Sequence, residues 1–355
     1  MPPAPVVETA RLTLRPPVAG DRDAWVALHR DPRTYWHAPH AMAESDEAAE
    51  EFFEATRQHW DDRGFGVWVA SSHGSGDVVG VCGLREVDRD AHFLNLYYRL
   101  GFEHQGHGLG KEMSRTSAAH AVEFLPRLSV RALVKEVNTP SVRTALGAGL
   151  ERVGTRVLHD DLPDEPPSTV FEAPSAEAVG SFDEATREQI LDLWVRTNDA
   201  GGAVGFTAGA SRADVDARLS AAESEMESGM RVAVVQRSAA DERVLGLAFL
   251  SEGPNPLLSH TRWVYTVMTD PAARGRNLGR LLMAGTHRVA RKLGVEILSL
   301  GVRSGTGTSR FYEACGYHES GRVLGAIRVA PGDERDDITM TRRLDDRVLR
   351  PDPRN

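Results

Sequence analysis

The sequence predicts an α+β protein in which one domain, a mixed sheet with flanking helices, occurs twice. Its 355 residues suffice for two domains, since a typical domain has roughly 150 residues. A glycine-rich loop occurs at residues 105–110 and again at residues 274–279, and the two copies begin 169 residues apart. Similarity at one fixed offset indicates one architecture built twice.

The segments around each loop follow one order in both halves. A strand-like segment rich in β-branched or aromatic residues comes first. After the loop comes a helix-like segment that lacks proline and has apolar residues at helical spacing, and then a second strand. The paired segments are 95–100 and 262–268, 110–125 and 279–293, and 129–134 and 296–302. Each half is therefore predicted to contain a βαβ unit.

Further landmarks keep nearly the same offset. They are Trp25 and Trp194 in amphipathic helices, Gly80 and Gly246 in hairpin-like stretches, and Gly149 and Gly316 as helix C-caps. We therefore expect a first domain over residues 1–168 and a second over residues 169–355. The division falls within the proline- and acid-rich stretch 158–181. Residues 169–172 could close the first sheet or open the second.

The net charge and the cysteine count make some classes of partner and site unexpected. With 51 acidic and 42 basic side chains the net charge is -9, so neither nucleic acid nor an anionic membrane is an expected partner. Cys82 and Cys315 are too few for a disulfide scaffold and lack zinc-site spacing, which predicts a reducing, cytoplasmic compartment and no metal. No signal segment and no run of ~18 apolar residues is visible. The oligomeric state is not predicted.

The glycine loops predict an anion site. A strand that enters a helix through a tight loop leaves backbone N–H groups unpaired where the helix dipole favours negative charge. Two phosphate motifs do not fit the first loop. A Rossmann fingerprint needs glycine at Lys111, and a P-loop needs glycine at Gln105 and Ser or Thr at Glu112.

Both loops match R/Q-x-x-G-x-G/A, the pyrophosphate loop of the GNAT acetyltransferases, which both halves resemble. The matching residues are Gln105, Gly108 and Gly110 in the first half and Arg274, Asn277 and Gly279 in the second, where asparagine replaces a glycine. Residues 8–15, with Asn138 and Ser141, resemble the branch of ribosomal-protein N-terminal acetyltransferases. Residues 270–275 and 310–317 resemble small-molecule GNAT enzymes.

The resemblance implies acetyl-CoA, or another short acyl-CoA, as the bound cofactor. Backbone N–H groups of a splayed strand would contact the thioester carbonyl in each half. The residues it assigns to the acyl-CoA are Tyr98, Arg99, Leu100, Gln105, Gly106, His107, Gly108, Leu109, Gly110 and Asn138 in the first half, and Val267, Met268, Thr269, Arg274, Gly275, Arg276, Asn277, Leu278, Gly279, Arg280 and Thr306 in the second.

The resemblance also implies direct attack of an amine in a ternary complex. Tyr312 would protonate the thiolate in the second half; the first half has Ala145 at that position and offers Ser141 as a nearby hydroxyl. The general base stays open. The candidates are Asp270, Glu252 and His260 in the second half and Glu103, His104 and Glu112 in the first.

The sequence is compatible with three functions. The favoured one is a small-molecule N-acetyltransferase whose second half is catalytic and whose first half binds acetyl-CoA with reduced or no catalysis. Alternatively both halves are active, or the protein is an acyl-CoA sensor or scaffold without catalysis. The variable segments 31–54 and 198–212 would build the acceptor pockets. The doubled chain also resembles tandem GNAT proteins of clavulanic acid biosynthesis, which implies secondary metabolism and antibiotic biosynthesis.

Overall fold

Two mixed sheets, one in each half of the chain, carry the fold. A computed structural model describes residues 6–89, 91–157, 165–202, 204–206, 209–253 and 255–344. The chain divides into two units, Met1–Pro174 and Ser175–Asn355. The predicted α+β fold in two copies is confirmed, and each copy contains the predicted βαβ unit.

The first domain is a sheet with helices on both faces. Its elements are β1 (Val7–Glu8), β2 (Leu12–Arg15), α1 (Arg22–Arg30), α2 (Asp46–Arg63), β3 (Val67–Ser72), β4 (Val78–Arg89), β5 (Ala91–Leu100), α3 (Leu109–Phe124), β6 (Val130–Val134), α4 (Thr139–Gly147), β7 (Glu151–Arg156) and β8 (Ser168–Glu172). The strand order is β1-β2-β3-β4-β5-β6-β8-β7, and only the β5–β6 pair is parallel among these strands.

Sequence signals explain the helix ends. Ser45 caps α2, since its hydroxyl accepts from the Ala48 N–H, and the left-handed Gly64 (φ 73°) ends that helix. The two faces of the sheet bury separate apolar clusters. Trp68 and Met113 belong to the cluster under α3, and Trp25 belongs to the one under α1 and α2.

The second domain repeats this plan. Its elements are β9 (Ser175–Val179), α5 (Glu184–Asp199), α6 (Arg212–Glu227), β10 (Arg231–Arg237), β11 (Val244–Ser251), β12 (Thr261–Thr269), α7 (Leu278–Lys292), β13 (Ile297–Arg303), α8 (Thr308–Glu313), β14 (His318–Ala330) and β15 (Asp333–Arg343). The strand order is β14-β15-β13-β12-β11-β10-β9, with β12 and β13 parallel. Apolar clusters again lie on both faces.

The two parallel strands of each domain pair over only two or three residues and then separate. The β5–β6 register holds only Leu94 opposite Val130 and Asn95 opposite Arg131, although β5 continues to Leu100. The β12–β13 pairing likewise ends at Trp263, although β12 continues to Thr269. Beyond these points the central strands leave a gap at the edge where each glycine loop begins.

The two gaps differ in backbone geometry. In β12 a bulge places Thr266 and Val267 opposite Ala248, and Thr266 has a φ of 52°. A bulge leaves an extra residue outside the hydrogen-bonded ladder. The β4–β5 ladder in the first domain runs without a register shift from Gly80–Leu100 to the hairpin end.

The domain division follows from β8. This strand pairs with β6 and β7, so residues 169–172 close the first sheet, and the division falls after Pro174 rather than at the expected 168. Residues 158–164 of the expected linker lie outside the described residues. Cys82 and Cys315 are buried free thiols. Among the described helices, none has the length and apolar character needed to cross a bilayer.

Gly80→Ala should destabilise the first domain, because a Cβ at this position would overlap the backbone oxygen of Arg99 on β5. Adding a methyl group to a tightly packed site typically costs about 1–3 kcal/mol. Thermal unfolding of the full chain should therefore show a lower midpoint for one transition. Gly20→Ala is the control, since an added Cβ there has no atom within 4 Å. Equal midpoints would contradict the close approach of β4 and β5.

Candidate functional site

A cavity of about 460 Å³ lies in the first domain where β5 ends and α3 and α4 begin. Sequence-predicted residues that line it are Tyr98, Arg99, Leu100, Gln105, Gly106, Gly108, Gly110, Asn138 and Ser141. The other lining residues are Thr34, Trp36, His37, Lys111, Pro140, Arg143 and Thr144. The Leu109 side chain packs against the core instead, so only its backbone is available to a ligand.

The glycine loop gives this cavity an anion-binding end. Gly106 and Gly108 have φ values of 79° and 77°, a left-handed conformation that glycine adopts without steric cost. Gly108 caps α3, and the first helix-type bond runs from the Glu112 N–H to the Gly108 oxygen at 3.2 Å. The amides of the preceding turn are thus free of that ladder, and Lys111 and Arg143 add positive charge. Such a cradle fits a diphosphate.

A half-buried carboxylate stabilises the loop. Glu112 accepts from the Thr9 hydroxyl at 2.7 Å and from the Arg11 N–H at 2.9 Å, and it pairs with the Arg11 guanidinium. Arg11 also donates to the His107 oxygen at 2.8 Å. Burial alone would raise the pKa of Glu112, but these bonds hold it below its usual range. A carboxylate tied in this way is a poor base, which argues against Glu112 as the proton acceptor.

Other open candidates for the base are engaged as well. In the first domain Glu103 pairs with Arg33 at 2.8 Å. In the second domain Glu252 pairs with Arg262. These carboxylates stabilise neighbouring loops and strands.

Hydroxyl groups line the middle of the cavity. The Tyr98 hydroxyl donates to the Ser141 backbone oxygen at 3.2 Å, and burial raises the pKa of Tyr98. Asn138 caps α4, since its Oδ1 accepts from the Ser141 N–H at 3.2 Å. Thr144 lies one turn further along α4. Protonated hydroxyls therefore surround the point where β5 meets α4.

The far end of the cavity is built from residues between α1 and α2. Arg99 donates to the Thr34 backbone oxygen at 2.7 Å, and its guanidinium carbon lies 3.5 Å from the centre of the Tyr35 ring. His37 lies beside Trp36, with ring centres 5.5 Å apart. The His37 Nδ1 atom is buried and has no hydrogen-bond partner among the described residues. Burial and the positive charge of Arg99 lower the pKa of His37.

The second domain reproduces the loop geometry. Gly275 and Asn277 have φ values of 79° and 68°, which match Gly106 and Gly108. Asparagine is one of the few residues other than glycine that adopts this conformation readily. Leu278 is buried, as is Met268, whereas Arg276 is exposed and Gly279 and Arg280 are half-buried.

Charged groups also brace the second loop. Asp270 pairs with Arg196 at 2.8 Å and Arg243 at 3.3 Å and accepts from the Ala272 N–H at 3.0 Å. The pKa of Asp270 is lowered although burial opposes this shift. Arg274 donates to the Ala200 oxygen at 3.0 Å. Asp270, another candidate base, is therefore held as a carboxylate by the arginines around it.

Tyr312 lies on α8, at the same edge as the second loop. Its neighbour Phe311 packs beside Gly279. The Tyr312 ring is half-buried between Phe311 and Tyr317, with ring centres at 5.0 Å and 5.8 Å. Burial raises the pKa of Tyr312, so its hydroxyl stays protonated at neutral pH. Thr306, before α8, donates to the Arg303 oxygen at 2.9 Å.

The sequence did not single out Thr34, His37, Lys111, Arg143 and Thr144 as binding residues. A signal existed for some of them. Lys111 follows the loop directly, and Arg143 and Thr144 stand three positions after Pro140 and Ser141, so α4 presents them on one face. Thr34 and His37 belong to the expected acceptor segment 31–54, in the part before α2, where the backbone has no helical or strand periodicity to interpret.

Two family models match the chain. The first, described as an acetyltransferase (GNAT) domain, matches residues 11–151. The second, described as the acetyltransferase (GNAT) family, matches residues 205–317. Each match contains one glycine loop and the parallel strand pair that separates beside it, β5–β6 or β12–β13.

Solved structures of acetyltransferases match half of the chain at a time. An acetyltransferase from Agrobacterium tumefaciens is 22% identical, covers 47% of this chain and 93% of its own, and has a TM-score of 0.39. A ribosomal-protein-alanine N-acetyltransferase from Brucella melitensis is 20% identical, with 47% and 99% covered and a TM-score of 0.40. A GNAT-family acetyltransferase from Bacillus anthracis is 14% identical, with 47% and 96% covered and a TM-score of 0.40.

Gly108→Ala and Asn277→Ala should each weaken one of two bound acetyl-CoA molecules. Alanine in the left-handed conformation costs about 1–2 kcal/mol, which corresponds to a loss of affinity of roughly five- to thirtyfold. Calorimetry and non-denaturing mass spectrometry of the full chain would measure both sites. Gly74→Ala, at an exposed turn, is the control. Loss at the same site in both variants would contradict one binding loop per domain.

Proposed function

Both halves of the chain belong to the GNAT acetyltransferases, and from this premise we propose direct transfer of the acetyl group of acetyl-CoA to the amine of a small molecule, with Tyr312 as the acid. GNAT domains use acetyl-CoA, and the chain is an acetyltransferase. The observation that carries the proposal is the protonated, half-buried Tyr312 at the edge of the second loop.

In the second domain, different residues bind the diphosphate, stabilise the carbonyl oxygen and protonate the thiolate. Acetyl-CoA supplies an activated acyl group as a thioester. The Leu278 and Gly279 amides hold its diphosphate, since they precede the first bond of α7, from the Leu281 N–H to the Asn277 oxygen. The bulge at Thr266 and Val267 frees backbone N–H groups in the strand gap, where they can stabilise negative charge on the carbonyl oxygen. The Tyr312 hydroxyl then donates its proton to the departing thiolate.

In this proposal the first domain binds acetyl-CoA at residues 105–110. A second candidate function, transfer by both domains, is favoured by one observation. The cavity of the first domain joins the anion cradle to the Tyr98 and Ser141 hydroxyls and to His37. Ser141 would then take the place of Tyr312 as the acid. Membership of an acetyltransferase family favours either candidate over a sensor without catalysis.

Sequence resemblance supports a more specific origin for each domain. The first domain is inferred to derive from the ribosomal-protein branch and the second from small-molecule enzymes. The doubled chain favours an acceptor of secondary metabolism, in antibiotic biosynthesis. The two unpaired thiols favour a cytoplasmic location.

Tyr312→Phe should lower kcat by about a hundredfold or more, since a positioned acid contributes roughly 10²–10⁴ in rate. Ser141→Ala should retain that activity. The raised pKa keeps Tyr312 protonated beyond the ordinary tyrosine value of about 10, so kcat should show no alkaline decline from this group below that pH. Steady-state kinetics across an amine panel measures both effects.

The same panel separates the two candidates. Activity lost only in Tyr312→Phe supports one catalytic domain. Products divided between the two variants support two catalytic domains. Equal loss of every product in both variants would refute a separate acid in each domain.

A further inference from the structure

The charges that line the cavity of the first domain are all of one sign. Of the described lining residues none is acidic, whereas Arg99, Lys111 and Arg143 are basic. Lys111 and Arg143 belong to α3 and α4, at the end that suits the diphosphate. Arg99 needs a separate explanation, because it belongs to β5 and contacts the segment between α1 and α2.

Alternation along β5 places Arg99 on the acceptor face. Tyr98 and Leu100 pack with the apolar cluster under α3, whereas Tyr97 packs with the cluster under α1 and α2. Since side chains alternate along a strand, Arg99 projects to the same face as Tyr97. A ligand that passes through the gap after Asn95 can therefore contact the cradle on one face and Arg99 on the other.

Arg99 has no carboxylate partner among the residues that the structure describes. Its contacts are the Thr34 backbone and hydroxyl oxygens, the Tyr97 hydroxyl at 3.4 Å and the Tyr35 ring. These contacts fix the guanidinium in place but do not neutralise it. A half-buried cation without a counter-ion is costly, so the position favours binding of an anion. Arginine suits a carboxylate in particular, because its planar fork donates two parallel hydrogen bonds.

His37 supplies the second feature. Its Nδ1 atom is buried and lacks a hydrogen-bond partner among the described residues, although the side chain lines the cavity beside Arg99. A neutral imidazole with a free ring nitrogen can accept a proton. Trp36, which is 53% exposed, offers an apolar wall next to it.

We propose that the first domain acetylates an amine that also carries a carboxylate, as an amino acid does, with Arg99 pairing with the carboxylate and His37 receiving the proton of the amine. This inference rests on the second candidate function, acetyl transfer by both domains. The charge of Arg99, and the absence of a carboxylate among the described lining residues, disfavour polyamines and other cationic acceptors.

The acetyl group is transferred by direct attack of the amine on the thioester. The nitrogen lone pair attacks the thioester carbonyl carbon, the N–C bond forms, and the C–S bond breaks with its electron pair on sulfur. The His37 imidazole, which lines the cavity, takes the proton from nitrogen and releases it to solvent. The sulfur takes a proton from the Ser141 hydroxyl, which regains one from solvent.

Binding of acetylated products to the full chain tests the proposal without requiring turnover. The probes are N-acetyl-L-phenylalanine with N-acetylphenethylamine, and N-acetyl-L-alanine with N-ethylacetamide, measured by calorimetry. Each pair differs only in the carboxylate. Because a hydrogen bond to a charged group contributes about 1.5–3 kcal/mol, at least one carboxylate should bind roughly tenfold or more tightly than its partner.

Variants locate the effect. Arg99→Gln should abolish the preference for the carboxylate, and Arg99→Lys, which keeps the charge but loses the fork, should retain part of it. Arg57→Gln is the matched control, because this α2 arginine pairs with Glu54 and does not line the cavity. Acetyl-CoA binding by each variant verifies that the domain is folded.

Kinetics separates failure of this inference from failure of the proposed function. The assay compares acetylation of L-phenylalanine and L-alanine with that of phenethylamine and ethylamine, and it includes His37→Gln, which should lower kcat for the amino acids. Acetylation of the decarboxylated amines only, or equal binding of all four probes, overturns the inference and leaves acetyl transfer standing. Tight binding of the carboxylates without acetylation of any amine overturns the proposed function and leaves the binding site standing.

Discussion

The site in each domain depends on a parallel strand pair that separates after two or three residues. Continued pairing of β5 with β6, or of β12 with β13, would seal the sheet and leave no passage between its faces. Because the strands part, one strand end keeps backbone groups outside the ladder, and the following loop turns its amides toward the same gap. Under the proposed function, the gap holds the thioester and the glycine loop holds its diphosphate.

The sequence predicted the features that depend on local backbone geometry. Gly108 and Asn277 occupy left-handed positions that few residues tolerate, so a glycine-rich pattern repeated at one offset indicated both loops and the doubled fold. The cavity's far end was not predictable in the same way. Arg99 and His37 meet through chain segments far apart in sequence, and no periodic pattern records such a contact. Similarly, the sequence could not show that Glu112 and Asp270 are tied to arginines.

The two domains have the same framework but different chemistry. The second has a bulged β12 and places Tyr312 beside its loop, whereas the first has a regular β5 and buries Ala145 at the corresponding position. In the first domain the phenol comes from Tyr98, on the strand rather than the helix. The two frames are alike, and single residues beside the gap differ between them.

The net charge of the protein and the charge inside the cavity of the first domain have opposite signs. The net charge of -9 opposes long-range attraction to polyanions. Inside the first domain's cavity, however, the lining charges are positive. Screening limits the long-range field to about a Debye length, roughly 8–10 Å in physiological salt, while a half-enclosed cation is screened much less. A small anion that reaches the cavity therefore responds to Arg99, Lys111 and Arg143, whereas an extended nucleic acid responds to the whole acidic surface. The net charge therefore disfavours large polyanionic partners, whereas the local charges favour a small anion.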